Sequence, residues 1–125
     1  MIADTTFLSD LIREQRRDVI GPARAFFIAH RRERLRTTII SAGEVIVSFP
    51  TNAEGWVWLS RWTIYRLHQA IVDEAVDVDR EQIADGQRLG ENDNWIAGFA
   101  RYFREPLISR DAGFDRVEGI RRIAY

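Results

Sequence analysis

Met1-Ile2-Ala3-Asp4-Thr5-Thr6-Phe7-Leu8-Ser9-Asp10-Leu11-Ile12 holds the junction from which the rest of the chain can be read. Its first three residues are apolar and stop at an acid, whereas Phe7, Leu8, Leu11 and Ile12 recur at the spacing of one helix face. The pattern is a short strand passing into a helix, with Thr5 or Thr6 as the expected cap and Asp4 at the junction.

The same alternation continues outward from this unit. Gly21-Pro22 opens a second helix, with Ala23, Phe26 and Phe27 on its apolar side and Arg24, Arg31, Arg32 and Arg34 mostly off it. Residues 37–40 are β-branched throughout and predict a buried strand. Ser41-Ala42-Gly43-Glu44 then has the spacing of a capping box at the head of a helix that Pro50 ends. Trp56, Leu59 and Trp62 fall three apart and predict a helix over residues 54–62, followed by a third strand over 63–67 and a helix over 70–78. An acidic stretch from Asp73 to Glu91, broken by Gly86 and Gly90, makes the region between Glu44 and Asp93 read as short on helix. From Asp93 the apolar residues Trp95, Ile96, Phe99, Ala100 and Phe103 mark another helix with Asn92 as its cap. Leu107, Ile108 and Ser109 form the next strand, Arg110 and Asp111 follow it directly, and residues 120–124 form a last short strand after Gly119. Strand and helix in alternation specify an α/β fold with a mainly parallel sheet.

Composition narrows the possibilities. A chain of 125 residues, 46% hydrophobic, builds one core, so residues 1–125 are expected to be a single domain. No apolar run approaches the roughly 20 residues of a membrane helix, and the N-terminal residues lack a basic start and a signal-type core, so a soluble cytoplasmic protein is expected. There is no cysteine, which excludes disulfides and thiolate zinc sites and leaves oxygen donors to hold any metal. Residues 1–40 carry eight Arg against five acids, while the remainder carries ten Arg against fourteen. The front third is therefore basic and the rest acidic.

In an open parallel sheet a ligand lies beyond the carboxyl ends of the strands. Asp4 and Asp111 follow strands, Glu44 lies in the helix after the second strand, and Asp93 heads a helix that can turn its first residues toward the same crevice. Taken singly, each acid has an ordinary explanation. Carboxylates suit the first turn of any helix, Glu44 also fits the closing position of a capping box, and an isolated Asp after a strand is a turn former. As a set, four convergent carboxylates repel one another unless protons or cations neutralise them, and hard oxygen donors favour Mg²⁺ or Mn²⁺.

Asp4-Thr5-Thr6-Phe7-Leu8, then Glu44, then Asn92-Asp93-Asn94-Trp95-Ile96-Ala97, then Ser109-Arg110-Asp111 with Phe114, resemble the PIN-domain family across essentially the whole chain, and most of all its VapC-type toxins. The resemblance implies a three-layer α/β/α sandwich and an RNA-hydrolysing enzyme dependent on Mg²⁺ or Mn²⁺. By it, Asp4, Glu44, Asp93 and Asp111 would be the catalytic and metal-binding quartet, with Thr5 and Ser109 supporting them. It further implies a homodimer restrained by a cognate antitoxin. The chain departs from the pattern at Thr6, where Asn is frequent, at Gly113, where some relatives carry another acid, and at Ser109, where Thr is usual.

The run His30-Arg31-Arg32-Glu33-Arg34 offers Arg31, Arg32 and Arg34 as RNA-backbone contacts, although cations at a helix C-terminus are also favoured by its dipole. His30 and His68 have no nucleophile or carboxylate relay nearby in sequence and receive no catalytic role. Trp56, Trp58, Trp62 and Tyr65 are either core or a partner surface. Two further readings stay open: a PIN nuclease that processes RNA without an antitoxin, and a catalytically silent PIN-like binding module.

Overall fold

The computed structural model describes residues 1–125 and confirms the α/β architecture. Five strands, β1 (Ile2–Ala3), β2 (Arg36–Thr38), β3 (Thr63–Tyr65), β4 (Leu107–Ile108) and β5 (Arg122–Ile123), form one sheet in the order β3-β2-β1-β4-β5. Every pairing is parallel, so the sheet is wholly rather than mainly parallel. Six α-helices accompany it: α1 (Thr5–Arg16), α2 (Pro22–Ala29), α3 (Ile39–Ile46), α4 (Asn52–Leu59), α5 (Gln69–Ala84) and α6 (Glu91–Phe103). A 3₁₀ turn over Ala112–Arg116 links β4 to β5.

Successive strand residues point to opposite faces, and the two cores follow from that alternation. Ala3 and Ile108 join Phe7, Leu8, Leu11, Val45, Leu59 and Trp62 on one face. Ile2 and Leu107 join Ile71, Val78, Ile96, Phe99 and Phe114 on the other. The result is a three-layer sandwich.

Several predicted boundaries move, each for a local reason. Asp4, not Thr5 or Thr6, caps α1, because its carboxylate accepts the Phe7 N–H. The β-branched run 37–40 leaves the sheet at Thr38, whose hydroxyl accepts the Ser41 N–H and caps α3, so Ile39 and Ile40 are helical. Ser41 is thus inside the helix, and Glu44 closes no capping box. The Thr-x-x-Glu cap is at α4, where the Thr51 hydroxyl accepts the Glu54 N–H and donates to the Glu54 carboxylate, starting that helix two residues early and ending it at Leu59. The acidic stretch is mostly helix: α5 runs to Ala84, its carboxylates tied down by Arg101 to Glu74 and Glu81 and by Arg88 to Asp79. The region between Glu44 and Asp93 is therefore rich in helix, contrary to the sequence reading. Gly90 caps α6 and Asn92 lies within its first turn. The aromatics divide: Trp62 is buried, Trp58 packs on the first core and bonds Gln15, Tyr65 stacks on Phe103, and Trp56 is exposed.

Two helical glycines differ in what surrounds them. A methyl group on Gly98 would lie 2.7 Å from the Ala75 Cβ and 2.9 Å from its backbone nitrogen, where α6 presses on α5. One on Gly43, in α3, meets nothing within 4 Å. Gly43→Ala is expected to stabilise by about 0.5–1 kcal/mol by removing glycine's backbone freedom. Gly98→Ala is expected to destabilise by about 1–3 kcal/mol through overpacking. Urea denaturation of both variants checks the opposite signs.

Candidate functional site

The carboxyl end of the sheet collects the four acids through four different local structures. Asp4 follows β1 directly and is 2% exposed. Its Oδ1 accepts the Phe7 N–H at 2.8 Å, and the Thr6 hydroxyl donates to both carboxylate oxygens at 2.8 and 3.0 Å. Asp111 follows β4 and caps the 3₁₀ turn, accepting the Gly113 N–H at 2.8 Å, while its own N–H donates to the Ser109 hydroxyl at 3.0 Å. Glu44 projects from the exposed side of α3 and accepts the Thr5 hydroxyl at 2.8 Å. Asp93 sits half-buried in the first turn of α6.

Electrostatics shows that the four share one neighbourhood. Burial, and then the charges of Asp111, Asp4 and Glu44, push the Asp93 carboxyl up to about 6. Burial also raises Asp4, reinforced by Asp111 and opposed by the Ser109 hydroxyl, the Phe7 N–H and the Thr6 hydroxyl. Thr5 holds Glu44, and Ser109 lies between Asp4 and Asp111.

Thr6 is more than a candidate cap or a lost amide. Its hydroxyl spans Asp4, lies 3.5 Å from the Ser109 hydroxyl and accepts the Arg110 N–H at 3.4 Å, joining the ends of β1 and β4. Asp10 was missed. It is 3% exposed, pairs with Arg13 and Arg110, and accepts the Tyr125 hydroxyl at 2.8 Å. Its position one turn and a half beyond Asp4 on the same helix was the only available signal. Arg31, Arg32 and Arg34 are exposed on the segment entering β2 at its amino end, away from the carboxyl ends where the acids lie. His30 stacks on Phe26 with its Nδ1 2.9 Å from the Phe26 carbonyl, a packing role.

The donor set suits a hard dication in charge and in donor type, since its four acids are oxygen donors and Asp93 registers the concentrated negative charge. As the side chains stand, no group of three or more acids or histidines is drawn together closely enough to hold an ion.

The PIN domain matches residues 1–120. No curated protein sequence matches the chain. Among solved structures, the fold resembles a chain of VapBC2 from Rickettsia felis bound to a DNA fragment from its promoter, with TM-score 0.83 and 14% identity over 99% of this chain and 97% of that one. DNA-bound VapBC from Salmonella typhimurium gives TM-score 0.82 and 18% identity over 98% and 96%. VapBC-1 from nontypeable Haemophilus influenzae gives 0.78 and 19% over 98% and 96%. No helix here is long and apolar enough to cross a membrane.

The raised Asp93 carboxyl fixes a sign for stability against pH. The folded state holds this proton up to about 6, against an ordinary 3.8, so without metal this group's contribution falls as pH rises through that interval and then levels. Asp93→Asn carries no such proton. The variant is expected to gain in melting temperature on the parent between about pH 4 and 6.5, measured in EDTA; a constant difference would remove Asp93 from the cluster.

Proposed function

We propose that this chain, which belongs to the PIN-domain family, is a metal-dependent endoribonuclease and the toxin of a toxin-antitoxin pair. The observation that carries the reading is the mutual electrostatic effect of Asp4, Glu44, Asp93 and Asp111 at the carboxyl end of a parallel sheet. These four residues would hold Mg²⁺ or Mn²⁺. Such an ion, when bound, supplies neutralising charge and an acidified water for attack on a phosphodiester.

The chain's own groups do the positioning. The Phe7 N–H and Thr6 hydroxyl fix Asp4, the Gly113 N–H fixes Asp111, and Thr5 steadies Glu44. Each acid keeps further lone pairs for a ligand. Asp93 sheds its proton near pH 6, so binding of a cation displaces that proton and weakens below this pH. Arg110, more than half exposed although paired with Asp10, offers a phosphate partner next to Asp111 in the chain.

VapBC and other toxin-antitoxin complexes among the structural neighbours support an antitoxin partner; an RNA substrate, a homodimer and a cytoplasmic setting are part of the same proposal. Exposed Val47, Trp56 and Val57 in the α3–α4 segment provide apolar surface for a protein partner. A second reading, a silent binding module, is favoured by one observation, the absence of three ligating side chains already drawn together.

Purified protein with Mn²⁺ is expected to cut a panel of single-stranded and structured RNAs, and EDTA to stop it. Asp93→Asn is expected to lower the rate at least about 100-fold. No cutting of any RNA, together with no calorimetric Mn²⁺ binding, would establish the silent module instead.

A further inference from the structure

A cavity of about 540 Å³ opens between α5 and α6, lined by Val76 and Asp79 from one helix, Glu91, Asn94 and Trp95 from the other, and Leu89 from the connecting segment. It borders the acid cluster at two points. Asn94 follows Asp93 directly on the first turn of α6. Leu89 lies against Gly113, where an added methyl would be 3.5 Å from the Leu89 Cδ2 and 3.0 Å from the Asp111 Oδ1.

The polar groups of this cavity are mostly committed. Arg88, also on its wall, grips Asp79 through two hydrogen bonds at 3.0 and 2.8 Å, and the Asn94 Nδ2 donates to Asp79 at 3.0 Å. The Asn94 Oδ1 is different. Asn94 is 8% exposed, and that oxygen is buried with no hydrogen-bond partner. A buried carbonyl oxygen left without a donor is costly, and on a residue that lines a ligand-sized cavity it favours a ligand whose donor reaches it as the wall opens. The acidic side chains of Asp79 and Glu91 disfavour a phosphate here. Half of the lining is apolar, including the half-buried Trp95. The matching chemistry is flat, aromatic and equipped with an N–H donor.

We propose that this cavity is a nucleobase subsite for a base bearing an exocyclic amine, with the Asn94 Oδ1 accepting an amine hydrogen and Trp95 forming an aromatic wall. For its ligand the proposal rests on the RNA-cleaving reading above. The base belongs to a nucleotide flanking the phosphate that the acids address. Cytosine, adenine and guanine carry the amine, whereas uracil offers only its N3–H, flanked by two carbonyl oxygens that the Asp79 and Glu91 carboxylates on the wall repel, so the site discriminates against uracil.

The test uses the four nucleoside 5′-monophosphates as probes, followed by tryptophan fluorescence and by the indole N–H signals in NMR spectra of the whole protein. CMP, AMP or GMP is expected to bind about threefold to tenfold more tightly than UMP, the worth of one hydrogen bond. Asn94→Leu is expected to abolish that preference. If Asn94→Leu does not fold, Val76→Trp, at the exposed rim, fills the cavity and is expected to remove binding of all four. Equal affinity for all four nucleotides, or a preference that survives either folded variant, overturns the proposal. Competition by butylamine without any nucleotide preference would assign the cavity to a lysine of a protein partner and also overturn it. Asp93→Asn separates the two readings: it abolishes cutting while leaving nucleotide preference intact, so amine-selective binding without cleavage by the parent would sink the nuclease and leave the subsite standing.

Discussion

The carboxylates of Asp4, Glu44, Asp93 and Asp111 repel one another, and keeping them within reach draws on every layer of the fold. Asp4 cannot retreat because its side chain is the cap of α1, bonded to the Phe7 N–H, while its backbone N–H is bonded to the Ile108 carbonyl of β4. Asp111 is likewise committed to the turn after β4. With strands of only two or three residues, the positions after β1 and β4 are fixed by a few ladder bonds and by Ile2, Ala3, Leu107 and Ile108, all fully buried. The desolvation that raises Asp4 and Asp93 is the same burial that stabilises the two cores, so the site's destabilisation is offset by the packing that creates it.

The asymmetry between the two sides of the sheet explains which acid is most perturbed. Asp4 and Asp111 each have a backbone donor, and Glu44 is exposed with the Thr5 hydroxyl at hand. Asp93 rides on α6, a helix positioned from the far side of the sheet. That position is set by the close approach of Gly98 to Ala75 and by Arg101 bridging Glu74 and Glu81 on α5. Asp93 lies five residues, about 7.5 Å of helix rise, from this contact. The placement of one carboxylate thus depends on a glycine further along its own helix, well outside the cluster itself.

Much of this was legible in the sequence, for physical reasons that differ residue by residue. Strand-then-helix at residues 1–12 was visible because apolar periodicity switches from none to 3.6 across Asp4. The identity of the cap was not, since Asp, Thr5 and Thr6 are all competent caps and only the geometry of the buried strand selects Asp4. Glu44 was ambiguous for the opposite reason: Thr38 also caps, and three residues of sequence could not say which hydroxyl leaves the sheet first. The length of α5 was hidden because its carboxylates read as a solvated loop, whereas their partners Arg88 and Arg101 come from sequence-distant positions. The relations among Thr6, Ser109 and Arg110 join residues about a hundred positions apart, beyond any local pattern.

Successive residues on a helix diverge by about 100°, so Asp93 and Asn94 look in different directions from one turn of α6. One faces the acids and the other lines the cavity beside α5. If chemistry belongs to the first and base recognition to the second, the distance between them is set by helix geometry and not by a flexible loop. Leu89, lying between the cavity and Gly113, closes the same interval from the side of β4. A base seated against Asn94 would hold its own backbone near Asp93 through covalent connectivity alone, so recognition would orient the phosphate without a free basic side chain at the cavity, whose Arg88 is held by Asp79. That accounts for a site whose one basic side chain, Arg88, is committed to Asp79, while the exposed Arg31, Arg32 and Arg34 lie toward the other end of the sheet.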